Sequence, residues 1–199
     1  MKDIGKKDIV IIHGTYGKPD INWFPWLKEE LSYLGVNARV PAFPSHQYQN
    51  ISAWRDTFRD QVGSLHSDMI LIGHSLGAGF VLNLLEQSEA QISASFFVAG
   101  FTGKLGLPEY DPPNETFVCR PFDWGKIRDN AGQAFVLHGD NDPYVPLDRG
   151  ENLAHNLQVP LTVINNGGHL NSESGWSQFP LLLQLLKGFL SSSRESASR

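Results

Sequence analysis

Short runs of consecutive apolar residues alternate along this chain with stretches whose apolar positions recur every three or four residues. The continuous runs predict strands buried on both faces, which need no polar side. Asp8-Ile9-Val10-Ile11-Ile12 is the first. Val36 to Val40, closed by Pro41, is a shorter second, and Met69-Ile70-Leu71-Ile72 the third. Ser95-Phe96-Phe97-Val98, Ala134-Phe135-Val136-Leu137 and Leu161-Thr162-Val163-Ile164 complete a set of six. Between them the spacing predicts helices. Trp23, Trp26, Leu27, Leu31 and Leu34 share one face; Trp54, Phe58, Val62 and Leu65 share another. Phe80 to Leu85, a segment around Leu153 and Leu157, and a short piece within 122–130 are further helices. Trp176, Phe179, Leu183, Leu186 and Leu190 give the last helix its core face. The segment from Phe101 to Arg120, with Pro112-Pro113 inside it, has no clear period. It reads as a long irregular loop, a kind of segment that often carries function.

Strictly alternating strands and helices imply a parallel sheet covered on both faces. Such sheets bind ligands beyond the C-terminal ends of their strands, where the strand order reverses. His13-Gly14-Thr15, Ser75 and the residues after Leu137 all fall at such ends. A length of 199 residues suffices for one domain with a substantial core, but not for a domain plus a large lid. Residues 1–190 are read as one domain and 191–199, small and polar, as a disordered tail.

Charge and cysteine content narrow the function. Lysine and arginine number 16 against 21 acidic residues, a net charge of −5 with no basic block, which argues against a nucleic-acid surface. No stretch of about 18 apolar residues exists to cross a membrane, and no apolar signal core precedes the first strand, so a cytoplasmic protein is expected. Cys119 stands alone; it can form no disulfide within the chain, matches no thiol-enzyme signature and reads as a packed residue. No metal or other cofactor is expected.

The chemistry concentrates in Gly73-His74-Ser75-Leu76-Gly77, entered by an apolar strand and left by an apolar helix. This is the context of a nucleophile elbow, a G-x-S-x-G turn that projects its serine. Glycines two positions either side remove side chains that would collide where strand and helix nearly touch. The competing reading, a phosphate-binding turn at a helix N-terminus, lacks a G-x-G-x-x-G and a Lys-Ser/Thr pair. A serine hydroxyl needs a base, and the base a carboxylate to hold it. On such an elbow the acid and then the histidine follow the serine in the chain. Asp142, in Gly139-Asp140-Asn141-Asp142-Pro143-Tyr144-Val145-Pro146, is the expected acid, with Asp140 expected to cap its own turn. His169, in Asn166-Gly167-Gly168-His169, is the expected base. His138 precedes the acid, so its order is wrong; His13 and His74 read as structural, and His46, His66 and His155 as solvated. The oxyanion donors are expected to be the N–H groups of Leu76 and of Thr15, with Tyr16 the second choice to Thr15. Phe101, Phe122, Trp124 and Tyr144 are candidate pocket walls.

With these residues the chain resembles the α/β-hydrolase superfamily over nearly its whole length. Within it, the chain is similar to the retinoblastoma-binding-protein-9-like (YdeN-like) serine hydrolases, on Gly73-His74-Ser75-Leu76-Gly77-Ala78, Trp23 to Leu31, Asp142-Pro143-Tyr144-Val145-Pro146 and Gly167-Gly168-His169. The most family-specific segment is Arg120-Pro121-Phe122-Asp123-Trp124-Gly125-Lys126-Ile127. The resemblance implies a three-layer α/β-hydrolase fold with a mostly parallel six-stranded sheet, no large lid, and a Ser75–His169–Asp142 triad. His13-Gly14-Thr15-Tyr16-Gly17 departs from the Pro-Gly-Asn-type loop of some relatives. The leading expectation is a metal-free serine hydrolase acting on a small-molecule ester, thioester or amide. The alternative is a non-catalytic or weakly catalytic protein-interaction module on a hydrolase scaffold, since a fold does not fix a function; no peptide-docking motif marks a protein partner.

Overall fold

The computed structural model describes residues 7–196. Its strands are β1 (Asp8–Ile12), β2 (Asn37–Arg39), β3 (Met69–His74), β4 (Ala94–Val98), β5 (Gln133–Gly139) and β6 (Leu161–Ile164). They form one sheet in the order β2-β1-β3-β4-β5-β6, with every neighbouring pair parallel. The chain leaves β1 outward to β2 and then returns past β1 to β3. The order therefore reverses between β1 and β3, and the ends of these two strands, Ile12 and His74, flank the crevice where such sheets bind ligands.

Alternation along each strand sorts the core into two halves. Ile9, Ile11, Ile70, Ile72, Phe96 and Val98 go to one side, where helices α1 (Phe24–Tyr33) and α7 (Pro180–Ser196) supply Leu27, Leu31, Leu182 and Leu186. Val10, Ile12, Met69, Leu71 and Phe97 go to the other, against α2 (Ile51–Gln61), α3 (Leu76–Gln87) and α6 (Leu147–Leu157). Six parallel strands between two helical layers make this an α/β-hydrolase fold with no lid.

Two stretches differ from the sequence reading. The segment expected to be irregular between Phe101 and Arg120 contains helix α4 (Asp111–Val118). Its two prolines sit in the first turn, where a missing N–H costs nothing. Only Asn114, Phe117 and Val118 are buried, too few positions to print a period on the sequence. The Asp111 carboxylate accepts hydrogen bonds from the N–H groups of Leu105 (2.8 Å) and Gly106 (2.9 Å), which folds the preceding loop onto the helix start. At the other end, α7 continues through Ser196, so helix replaces the tail expected from residue 191; residues 197–199 lie outside the described residues. The serines fit because they bond back onto the helix: Ser191 Oγ donates to the Lys187 carbonyl at 2.9 Å and Ser192 Oγ to that of Phe189 at 3.0 Å.

The tightest backbone approach lies where α3 begins. A Cβ on Gly73 would stand 2.6 Å from the backbone N of Ala78 and C of Gly77. One on Gly77 would overlap the carbonyl of Ile12, at the end of β1. Gly188, by contrast, has nothing within 4 Å of its would-be Cβ and sits exposed in α7. Gly77→Ala is therefore expected to destabilise the fold by about 1–3 kcal/mol or more, through forced backbone displacement. Gly188→Ala should stabilise it by roughly 0.5–1 kcal/mol through helix propensity. Urea unfolding of the two variants beside the parent chain checks both signs.

Candidate active site

Ser75 follows β3 directly and is the residue before α3. Its φ of 55° and ψ of −122° lie in a region that non-glycine residues rarely adopt. The packing of Gly73 and Gly77 against neighbouring backbone leaves the chain no other way to turn from strand to helix. The N–H of Ser75 donates to the Val98 carbonyl at 2.8 Å, tying the turn to β4. Side chains held in strained conformations cluster where function resides. Here Tyr16, Asn22, Ala99, Asn166 and Leu170 also have positive φ, all in loops beyond the strand ends.

Ser75 opens onto a cavity of about 590 Å³. Gly14, after β1, forms one wall; a Cβ there would come within 2.8 Å of Ser75 Cβ. His169 lines the same cavity, its side chain only 9% exposed. No hydrogen bond joins its ring to Ser75 Oγ among the described residues; such bonds are often long in unliganded sites and tighten on binding. The ring's Nδ1 is 2.7 Å from Asp142 Oδ2. An ionised carboxylate can only accept a hydrogen bond, so Nδ1 carries the N–H and Nε2 is left with a lone pair. Asp142 is fully buried at its side chain, and its Oδ1 accepts the N–H groups of Tyr144 (2.9 Å) and Val145 (3.0 Å). Burial pushes this carboxyl up, but the His169 ring bond and the two backbone N–H groups outweigh it and hold it below the usual carboxylate range.

The loop bearing His169 is pinned from every side. Asn166 N–H donates to Asp140 Oδ1 (2.7 Å) and Gly168 N–H to Asn141 Oδ1 (2.8 Å). The Gly167 carbonyl accepts the Trp176 indole N–H at 2.7 Å, and the Leu170 carbonyl that of Trp23 at 3.0 Å. The N–H of His169 itself donates to Ser174 Oγ (3.1 Å), and its carbonyl accepts His74 Nε2–H (3.0 Å). The sequence reading had Asp140 capping its own turn. In the structure Asp142 makes those local bonds while Asp140 reaches across to the histidine loop. The indole anchors, Trp23 and Trp176, were legible only as helix-face residues; nothing in a periodicity shows which carbonyl an indole will meet.

Donors for a developing negative charge lie at two strand ends. Leu76 is the first residue of α3, so its N–H has no partner within the helix. After β1, the Tyr16 N–H is taken by Gln49 Oε1 at 3.3 Å, whereas the Thr15 N–H makes no hydrogen bond among the described residues. Of the two alternatives in the sequence, Thr15 is the one left free. His13 sits behind this loop, its Nδ1–H on the Gly14 carbonyl (2.9 Å) and its Nε2 accepting the Phe43 N–H (3.1 Å).

Of the four candidate wall residues, Phe101 and Tyr144 line the cavity. Phe122 and Trp124 do not; they line a separate shallow cleft with Cys119 and Arg120. The cause is Arg120, which pairs with Glu86 and donates to Asn83 Oδ1 at 2.8 Å, both on α3, while its guanidinium covers the Phe122 ring at 4.4 Å. The Asp123 carboxylate then caps α5 (Trp124–Asn130) through the Lys126 N–H at 3.0 Å. This segment therefore braces helices and contributes nothing to the cavity. Leu105, Leu107, Tyr110 and Asn114, from the stretch that looked irregular, line it instead. The rings of Tyr16, Tyr110, Tyr144 and His169 follow one another at centroid spacings of 5.9, 5.8 and 5.2 Å. Asp20 and Glu173 also line the cavity, and among the described residues no lysine or arginine does.

Comparison with known proteins identifies the family and the fold. A family model described as serine hydrolase matches residues 9–188. The YdeN protein of Bacillus subtilis (strain 168) is 30% identical over 187 residues, 93% of this chain and 97% of that one. The serine hydrolase RBBP9 of Rattus norvegicus is 25% identical over 187 residues, covering 91% of this chain and 94% of its own. The crystal structure of the B. subtilis ydeN gene product superposes with a TM-score of 0.85 at 30% identity, covering 94% of this chain and all (100%) of that one. Mouse alpha/beta hydrolase domain-containing protein 10, at 17% identity and a TM-score of 0.71, covering 93% of this chain and 90% of its own, shares the fold. Among the described residues no helix is long and apolar enough to cross a membrane.

Three buried histidines make the site's surroundings acid-sensitive. Burial pushes His13, His74 and His138 below the ordinary imidazole value, His74 to about 3, so His74 is held neutral in the folded protein. Unfolded, each takes up a proton near pH ~6.5. Below that pH the unfolded chain binds more protons, so stability falls as the pH falls, by about 1.4 kcal/mol per pH unit for His74, with His13 and His138 adding to the fall in the same direction. Asp142 adds its loss only at lower pH, as its depressed carboxyl is protonated. Urea midpoints should decline steadily from pH 6.5 to 4. In His74→Gln, which keeps a side-chain N–H for the His169 carbonyl, the slope should be shallower by one proton. An unchanged slope would show that His74 is not held neutral.

Proposed function

The chain belongs to the serine hydrolase family, and from that premise we propose that it cleaves small esters, thioesters or amides through an acyl-enzyme on Ser75. The observation that carries this reading is the 2.7 Å bond from His169 Nδ1–H to Asp142, inside the cavity that Ser75 lines. It leaves Nε2 as the only basic atom of the ring, in the same cavity as a serine on a strained elbow. Ser75 Oγ attacks the scissile carbonyl carbon as His169 Nε2 takes the hydroxyl proton; Asp142 holds the ring and stabilises the imidazolium. The carbonyl π electrons move onto oxygen, which the N–H groups of Leu76 and Thr15 hold. When the carbon–leaving-group bond breaks, His169 returns its proton to the leaving group. Water then repeats the sequence on the acyl-enzyme, releasing the acid and restoring Ser75.

The cavity suits an uncharged or cationic substrate of modest size. Phe101, Leu105, Leu107 and Val145 offer apolar contact, and the carboxylates of Asp20 and Glu173, with no lysine or arginine beside them among the described lining residues, repel a carboxylate on the substrate. The reading uses only this chain's own groups.

Ser75→Ala should fold like the parent and lose roughly 10⁶-fold in kcat on an activated ester, the loss known for removal of a triad serine. A fluorophosphonate should label the parent chain and not the variant. A parent chain that neither labels nor turns over any ester would favour the interaction-module alternative. Asp142→Asn should lower kcat by up to ~10⁴, because the amide favours the wrong tautomer of His169. Asp140→Asn should lose far less, since its amide oxygen still accepts the Asn166 N–H. Measured kcat for both variants on one ester, beside their melting curves, separates the two aspartates.

A further inference from the structure

Behind the oxyanion loop lies a buried relay of two amides. Gln49 is 6% exposed and Asn114 is 2% exposed. Two backbone groups fix which way Gln49 points: its Oε1 accepts the Tyr16 N–H (3.3 Å), and its Nε2 donates to the Pro113 carbonyl (3.3 Å). The same Nε2 also donates to Asn114, at 3.3 Å, so the atom it meets there must be Oδ1. Thr15 Oγ1 donates to that oxygen too, at 2.6 Å. The orientation of the Asn114 amide is therefore set from the backbone, two links away. Its Nδ2 is left with two N–H donors and no hydrogen bond among the described residues. It is not sealed in the core as Ser95 Oγ and His138 Nδ1 are. Asn114 lines the Ser75 cavity, the open space available to this unpartnered donor.

We propose that Asn114 Nδ2 is a substrate-binding donor, and that the preferred acyl group carries a neutral hydrogen-bond acceptor, an ether, hydroxyl or carbonyl oxygen, close to the scissile carbonyl. The proposal rests on the hydrolase reading above. A buried donor left without a partner in the complex disfavours any acyl group that displaces its water and offers nothing in return. An alkyl chain does this; a chain of the same length with an oxygen in place of one methylene does not. The neighbouring carboxylates of Asp20 and Glu173 exclude a carboxylate as the acceptor and leave a neutral oxygen.

The test compares p-nitrophenyl methoxyacetate with the butyrate, and 3-methoxypropionate with the pentanoate, as ratios of kcat/KM. Asn114→Asp keeps an oxygen for Thr15 and Gln49 but turns the cavity-facing atom from donor to acceptor. Gln49→Glu acts from outside the cavity lining: it can no longer donate to Asn114, so the Asn114 amide must turn over and present Oδ1. Intrinsic ester reactivity cancels between parent and variant, as does any effect a variant has on both esters together. In at least one pair the ether-to-alkyl ratio should be about 10- to 100-fold higher in the parent chain than in either variant, the range for leaving a buried donor unpaired. If Asn114→Asp does not fold, Gln49→Glu carries the measurement. Ratios unchanged in both pairs overturn the assignment of Asn114, while turnover of all four esters and fluorophosphonate labelling of Ser75 keep the hydrolase reading. A parent chain that neither labels nor turns over any of the four removes both.

Discussion

Three pieces of backbone meet at the start of α3 with no room for a side chain between them. Gly73 lies against the first turn of α3, and Gly77 lies against the carbonyl that ends β1. This contact fixes the distance between two adjacent strand ends and the helix that springs from one of them. Ser75 is forced to a positive φ, and its side chain is thrown outward rather than into either core. Because β1 is the neighbour touched, the loop after it comes to lie beside the serine, with Gly14 close to Ser75 Cβ. The serine on its strained turn and the loop that offers a free N–H beside it are thus two results of one steric condition.

The histidine is held by a different means. Its loop follows β6, at the sheet edge, where packing alone would leave it loose. Instead its backbone groups are taken one at a time by Asp140, Asn141, His74, Ser174, Trp23 and Trp176, drawn from widely separated parts of the chain. None of these need touch a substrate. They remove the freedom of a loop that keeps one ring nitrogen of His169 on Asp142. That is the supporting arrangement a preorganised site requires.

What the sequence displayed and what it hid divide along physical lines. Doubly buried strands announce themselves as unbroken apolar runs, which made β1, β3 and β4 plain; the edge strands β2 and β6, only partly buried, were legible from their place in the alternation with helices, and with them the parallel sheet. Ser75 and its flanking glycines were legible because the steric demand acts on residues two apart. Asp142 and His169 were legible from chain order and from their positions after strands. The divided labour of Asp140 and Asp142 was not, because a side-chain bond across 26 positions leaves no local trace. Helix α4 was hidden by its brevity and by two prolines that break an interior helix yet suit a first turn. Phe122 and Trp124 were misjudged for a related reason: an aromatic in a distinctive motif can brace as well as bind, and only the pairing of Arg120 with α3 shows which.

The placement of α4 has a consequence for how this protein could change. The connection from β4 to β5 contributes no strand to the sheet, and α4 packs chiefly on α3. Yet this one excursion brings Leu105, Leu107, Tyr110 and Asn114 to the cavity wall. Ser75 stands on a turn that cannot move without disturbing the whole core. Part of the wall around it is written on one stretch of some twenty residues. A turn and a wall set by separate stretches can vary separately: the positions of that segment that face the cavity can be re-lettered while the turn beneath is left as it was.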